Sequence, residues 1–219
     1  SSGILIRNGS DRNIVRRNYI TISPQLTMDP ANRYHWFLWD YIKRGDGDAL
    51  AIFVSDGDNT DNEISYNTIE HTHDGIEVGR ENTGIGAARL KVHHNIVRYA
   101  NDECYGPRGN AQNSEWYENT AEQCTNGIRL EFGEAVGGPM SIYRNRIWNQ
   151  PSPGVWYNGE CFYWNASNNA EVRVYQNSCS GNTGFSANIT GQAAGLKIVN
   201  NIFSAKDAVH YGAMTGWIW

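Results

Sequence analysis

The sequence predicts an all-β chain, a right-handed parallel β-helix of about seven coils. Two observations predict it. Seven asparagines, Asn18, Asn67, Asn95, Asn119, Asn145, Asn177 and Asn201, recur in one local context. Each has an apolar residue three positions before it (Val15, Ile64, Val92, Trp116, Ile142, Val174, Ile198) and a small or apolar one two positions after (Ile20, Ile69, Val97, Ala121, Ile147, Cys179, Phe203). A short second apolar strand then follows at a nearly constant step: nine residues to Ile76, Cys104 and Ile128, ten to Val155, eight to Phe185 and Val209. A period of this size is the signature of a solenoid.

Each unit reads as strand, bend, strand and polar loop. The first strand alternates apolar with polar, as in Ile64-Ser65-Tyr66 and Val174-Tyr175-Gln176. That is the period of a strand with one buried face. Turn-forming residues precede the second strand in Asp74-Gly75, Asn126-Gly127, Pro153-Gly154 and Thr183-Gly184. Asp48-Ala49 before Leu50 fits the same slot. One unit cannot bury its apolar face alone, so units stack, with like residues about 4.7–4.9 Å apart. An asparagine at the bend carries donors and an acceptor. Stacked in register, its amide satisfies the bend backbone and the next asparagine, which makes the ladder scaffold rather than site.

The segments NEISYNTIEHTHDGIEVG, SEWYENTAEQCTNGIRLE, MSIYRNRIWNQPSPGVWYNG and LKIVNNIF carry this pattern across nearly the whole chain. In them the sequence resembles the parallel β-helix repeat proteins of the pectate-lyase-like superfamily. The resemblance implies the fold, and a site on a solvent-facing groove of the middle coils.

The 219 residues suffice for one solenoid domain, residues 1–219, with an aromatic-rich insertion at about 24–47. A net charge of −5 without a basic run argues against a nucleic-acid partner. No apolar stretch approaches membrane-spanning length, and no signal-peptide pattern is present. Neither end carries an obvious cap, so the chain reads as trimmed, and open ends suit end-to-end self-association. Cys104 and Cys179 fall in anchor slots, where cysteine acts as a small hydrophobe. No two cysteines share a slot on adjacent coils. If any pair bonds, Cys124–Cys161 is the expected one.

Departures from the repeat mark candidate sites. The step from Asn18 to Leu50 is 32 residues and includes Trp36, Trp39 and Tyr41. These aromatics, with Trp156 and Trp164 farther on, offer flat apolar faces to a sugar, or else pack against the helix side. One position after each second-strand anchor, an outward column reads Ala51, Glu77, Tyr105, Arg129 and Trp156. Two positions before the anchors stand Asp48, Asp74 and Asp102, with His73 and Glu103 adjacent. Carboxylates one coil apart repel, and a cation between them relieves the repulsion, so Asp48, Asp74 and Asp102 are candidate Ca2+ ligands. Asp74, Glu77, Asp102, Tyr105, Arg129 and His73 are the candidate catalytic groups. They suit a glycosidase with paired carboxyls, or a lyase or epimerase that takes a proton beside a uronate carboxylate. Aspartate before glycine at a bend is also ordinary turn chemistry. The expectation is thus an extracellular or cell-surface protein acting on a polysaccharide. The alternatives are a structural, adhesive or filament-forming β-helix, and a carbohydrate-binding module. A last column, Tyr117, Tyr143 and Tyr175, points outward from the first strands as a ring ladder that stabilises the sheet, or as a carbohydrate platform.

Overall fold

In the computed structural model the chain is a parallel β-solenoid. The structure describes residues 2–21, 50–55, 58–79, 87–107, 112–132, 139–149, 159–166, 171–189 and 195–211. All strand pairings among them are parallel, and each coil contributes strands to three faces.

The first face stacks Ile14–Arg16, Glu63–Ser65, Lys91–His93, Ser114–Tyr117, Met140–Tyr143, Val172–Tyr175 and Leu196–Val199. Val15, Ile64, Val92, Trp116, Ile142, Val174 and Ile198 stand in one register column, as the repeat predicted. The second face holds Tyr19–Thr21, Thr68–Thr72, Ile96–Ala100, Thr120–Glu122 and Arg146–Asn149. Its inner column runs from Ile20 through Ile69, Val97, Ala121 and Ile147 to Cys179 and Phe203. The third face holds Ser2–Ile6, Leu50–Val54, Asp74–Val78, Glu103–Pro107, Asn126–Phe132 and Glu160–Ala166. The strands Ser178–Ile189 and Ile202–Tyr211 run through both of the latter faces and join them into one 13-stranded sheet. The inner columns merge into a single core cluster. Burying each Ile, Val or Phe there contributes about 1.5–3 kcal/mol.

The asparagines form a continuous ladder. Each Nδ2 donates to the Oδ1 of the next, from Asn18–Asn67 at 2.9 Å to Asn177–Asn201 at 2.9 Å. The same Oδ1 accepts the backbone N–H of the preceding asparagine. A second Nδ2 proton goes back to a core-column carbonyl, as from Asn119 to Val92 at 2.9 Å. Beside the ladder runs a column that the sequence does not advertise. Arg17, Tyr66, His94, Glu118, Arg144, Gln176 and Asn200 all sit at φ between 54° and 58°. This left-handed conformation is unusual for residues with a side chain. Here it turns the chain from the first face to the second, and its N–H groups bond the next coil, as from Glu118 to the carbonyl of Tyr143 at 3.2 Å.

The third face departs from the predicted register. Its inner column is Ile52, Ile76, Tyr105, Ile128, Phe162 and Phe185. Leu50 is two residues out of place as an anchor and Cys104 one, and Phe162 takes the place given to Val155. Side chains alternate along a strand, so the slip at Cys104 turns Tyr105 inward. The Tyr105 ring is buried, edge-on to Trp116, with its hydroxyl 2.9 Å from the Asn95 carbonyl oxygen and 2.8 Å from that of Thr120. Gly75 stands where the faces meet. A Cβ there would strike the carbonyl oxygen of Cys104 and Cγ1 of Val97.

The cysteine expectation is also corrected. Cys104 bonds Cys124 and Cys161 bonds Cys179, with Cα atoms 5.8 and 6.0 Å apart. Cys104 is not an anchor, and Cys124 lies at the next coil's bend, two residues before Asn126, which pairs with Glu103.

Candidate functional site

The site grows from the same third face. With the register corrected, the outward column is Phe53, Glu77, Gly106, Arg129 and Tyr163. The column two positions before the anchors is Leu50, Asp74, Glu103, Asn126 and Glu160. Asp102 stands one place earlier, its N–H donating to the His73 carbonyl at 2.9 Å. Glu103, not Asp102, is therefore the acid that continues the Asp74 column.

Asp74, Asp102 and Glu103 nevertheless converge. Each presents a carboxylate oxygen within 4.8 Å of the others. Arg129, one coil on, closes the group: its Nη1 donates to both Asp102 oxygens at 3.1 and 3.0 Å and lies 3.5 Å from Oε2 of Glu103. Its guanidinium carbon lies 5.4 Å from the centre of the Tyr163 ring. Asn126 adds an Nδ2 donor to Asp102 at 3.3 Å. Gly106 makes room for this arrangement. A Cβ at Gly106 would stand 3.0 Å from Oε1 of Glu103, so the missing side chain is where the Glu103 carboxylate lies.

On the far side of Asp74, Nδ1 of His73 lies 2.8 Å from Oδ2, a contact that fixes the orientation of the ring. Both side chains are buried. The other Asp74 oxygen, Oδ1, is buried without a hydrogen-bond partner. Solvent reaches Arg129 and Asp102, whose side chains are 23% and 15% exposed, whereas Glu103 is fully buried and Glu77 nearly so.

The predicted candidates thus divide. Asp74, Asp102, Arg129 and His73 are brought together, and Glu77 shares their face. Tyr105 is removed from the outward column by the slip, and burial pushes its phenol well above the usual tyrosine range. Trp164 is fully buried in the core, so it offers no face to a sugar. Trp36, Trp39, Tyr41, Asp48 and Trp156 lie outside the described residues. The sequence reading passed over Gly106 and the stacking of Tyr163 on Arg129. Both became visible once Ile128 and Phe162 set the register.

Three carboxylate oxygens within 4.8 Å, one of them on a residue with an orphaned buried oxygen, match the donor set of a hard divalent cation. Asp74, Asp102 and Glu103 would hold such an ion, which would add positive charge beside Arg129.

The first face carries a different feature. His93, Tyr117, Tyr143 and Tyr175 stack with ring centres 4.7, 5.0 and 5.0 Å apart and planes within 14°. This is the ring ladder expected of the three tyrosines, extended by His93. The flat faces are spent on one another, which favours sheet stabilisation over a platform. No family model and no curated protein matches the chain.

Proposed function

We propose that this chain is an extracellular protein that acts on a uronate-containing polysaccharide at the third face, by elimination or epimerisation. The observation that carries the reading is Arg129: a guanidinium held by Asp102 and Glu103 and reaching solvent on the outward column. Such a cation suits a sugar carboxylate, and its charge grows in value as the neighbouring carbon loses a proton. His73, oriented by Asp74, is the nitrogen base tied into the cluster. In elimination the base takes the proton beside the carboxylate. The electrons form a carbon–carbon double bond, and the glycosidic oxygen leaves with its bonding pair. A hydrolase is less well supported, because it needs two carboxyls facing the substrate. Asp74, Glu103 and His73 are all buried, so burial does not separate the readings; Arg129, more exposed than Asp102, is what favours a uronate. The two disulfides support an oxidising, extracellular location.

A screen of uronate-containing and neutral polysaccharides, read by ultraviolet absorbance of unsaturated products, by reducing ends and by uronate epimer composition, tests the proposal. Cleavage with unsaturated ends supports elimination, and a changed epimer ratio without cleavage supports epimerisation. Reducing ends without unsaturation favour the hydrolase. No change in any polysaccharide favours the structural or adhesive β-helix.

A further inference from the structure

The second face carries a surface that the proposed reaction does not use. Along one of its outward rows Glu70, Arg98, Glu122, Trp148, Ser180 and Ser204 stand on six successive coils. The parallel row beside it reads Thr120, Arg146, Ser178 and Ile202. At its start this face pairs its charges: Glu70 takes the Arg98 guanidinium and the Tyr19 hydroxyl. Farther along, the pairing stops. Among the described residues, neither the Glu122 carboxylate nor the Arg146 guanidinium has an ion pair or side-chain hydrogen bond. Between them stands Trp148, 63% exposed, although an indole usually gains most by burial.

The coils that follow supply the shape. Ser180 and Ser204 succeed Trp148 in its row, and Ser178 succeeds Arg146. Beside these small residues the exposed indole lines a trough of about 560 Å³. Thr120, Glu122, Arg146, Trp148 and the three serines line it, with Ile96 and Ile202 among its apolar residues. A flat aromatic wall, hydroxyls interleaved with aliphatic side chains, and an anion and a cation at the rim that form no direct ion pair make a specific chemical set. A pyranose ring answers it: its axial C–H groups form an apolar face, and its hydroxyls donate and accept around the edge. Neighbouring coils repeat every 4.7–4.9 Å or so, so the trough spans about two coils beyond Trp148, room for one to two sugar rings.

We infer that this trough is a carbohydrate-binding subsite in which a sugar ring of a polysaccharide stacks on Trp148, with Arg146 and Glu122 bonding its substituents. The inference takes its ligand class from the polysaccharide reading but rests on different residues and a different face. It supplies a holding site that keeps the chain on a polymer independently of turnover.

Affinity electrophoresis in gels containing polygalacturonate, alginate, hyaluronan, xylan, mannan or mixed-linkage glucan tests it, with wild type, Trp148→Ala, Trp148→Tyr and Val199→Ala compared. Folding is checked by circular dichroism, and self-association by sedimentation velocity. The expected result is retardation of wild type by at least one polymer. Trp148→Ala weakens it about tenfold. Trp148→Tyr restores part, and Val199→Ala, a truncation of an exposed residue on the first face, leaves the retardation in place. That result stands even if no polysaccharide is cleaved, so failure of the catalytic reading is distinguishable. Retardation unchanged in folded Trp148→Ala overturns the inference. So does the absence of retardation in every gel, or a wild-type dimer that Trp148→Ala dissolves, which would make the patch an interface between copies.

Discussion

Arg129 and Asp102 meet across adjacent coils, with one guanidinium nitrogen 3.1 and 3.0 Å from the two carboxylate oxygens. The pair is only part-exposed, and Glu103 stands 3.5 Å from the same nitrogen. Truncating Arg129 therefore leaves three converging carboxylates without their cation. Arg129→Ala is expected to destabilise the fold by about 1–3 kcal/mol. Asp102→Asn in the same chain should return part of that loss by removing one of the repelling charges. Urea denaturation of the two single variants and the double variant measures the coupling. Strictly additive losses would show that the contact is incidental.

The asparagine ladder makes a sharper stability prediction. Asn119 donates to Asn145 and to the Val92 carbonyl, and accepts two N–H bonds from Asn95. Asn119→Ala removes all four bonds inside the fold and takes from the buried Asn95 N–H its acceptor, at a cost of about 2–4 kcal/mol. Asn18→Ala, where the ladder residue is half-exposed, should cost less, about 1 kcal/mol. Equal losses at the two positions would contradict a role set by burial.

The disulfides close segments of 20 and 18 residues. Replacing Cys104 and Cys124 together by alanine should lower stability by about 3 kcal/mol on the chain-entropy account. Peptide mapping without reduction should recover Cys104 with Cys124 and Cys161 with Cys179. A Cys124–Cys161 peptide would contradict the register of the third face.

Acid should loosen the first face. Burial pushes the His93 imidazole below its ordinary 6.5, aided by the neighbouring His94 and opposed by Glu63. The folded chain then binds the proton less readily than the unfolded one. Its contribution is whole above pH 6.5 and is lost as the pH falls from there through the lower folded-state value. His93→Phe keeps a ring on Tyr117 and removes the titration, so its stability should decline less over that interval. Thermal melts of both chains across this range test it, and parallel declines would sink the assignment.

How far the sequence carried depended on how regular the bends are. The first two faces were legible because Asn119 or Asn145 stands a fixed distance from its anchors, so the register could be counted. The third face was not, because the path from the asparagine to the second strand varies from coil to coil. Counting nine from Asn95 lands on Cys104, while the core takes Tyr105 at ten. That single residue put a buried phenol among the candidate catalytic groups and hid the Cys104–Cys124 bond. The left-handed column was illegible for another reason: Glu118 and Gln176 carry no glycine signal, and tertiary hydrogen bonds impose the conformation. The acid cluster survived the slip because Asp102 and Glu103 are adjacent, so either register delivers a carboxylate beside Asp74. Trp148 went unnoticed because it keeps the repeat, and only its exposure singles it out.

The central claim is that Arg129 meets a sugar carboxylate while the polymer reacts. The most direct measurement is the initial rate of unsaturated-product formation, or of uronate epimerisation, on the polysaccharide that the screen identifies. Folded Arg129→Ala and Arg129→Lys are compared with wild type. The account predicts a loss of about 100-fold or more in Arg129→Ala and a smaller one in Arg129→Lys. An unchanged rate in folded Arg129→Ala, or a wild-type chain that alters no uronate-containing polymer, would contradict it.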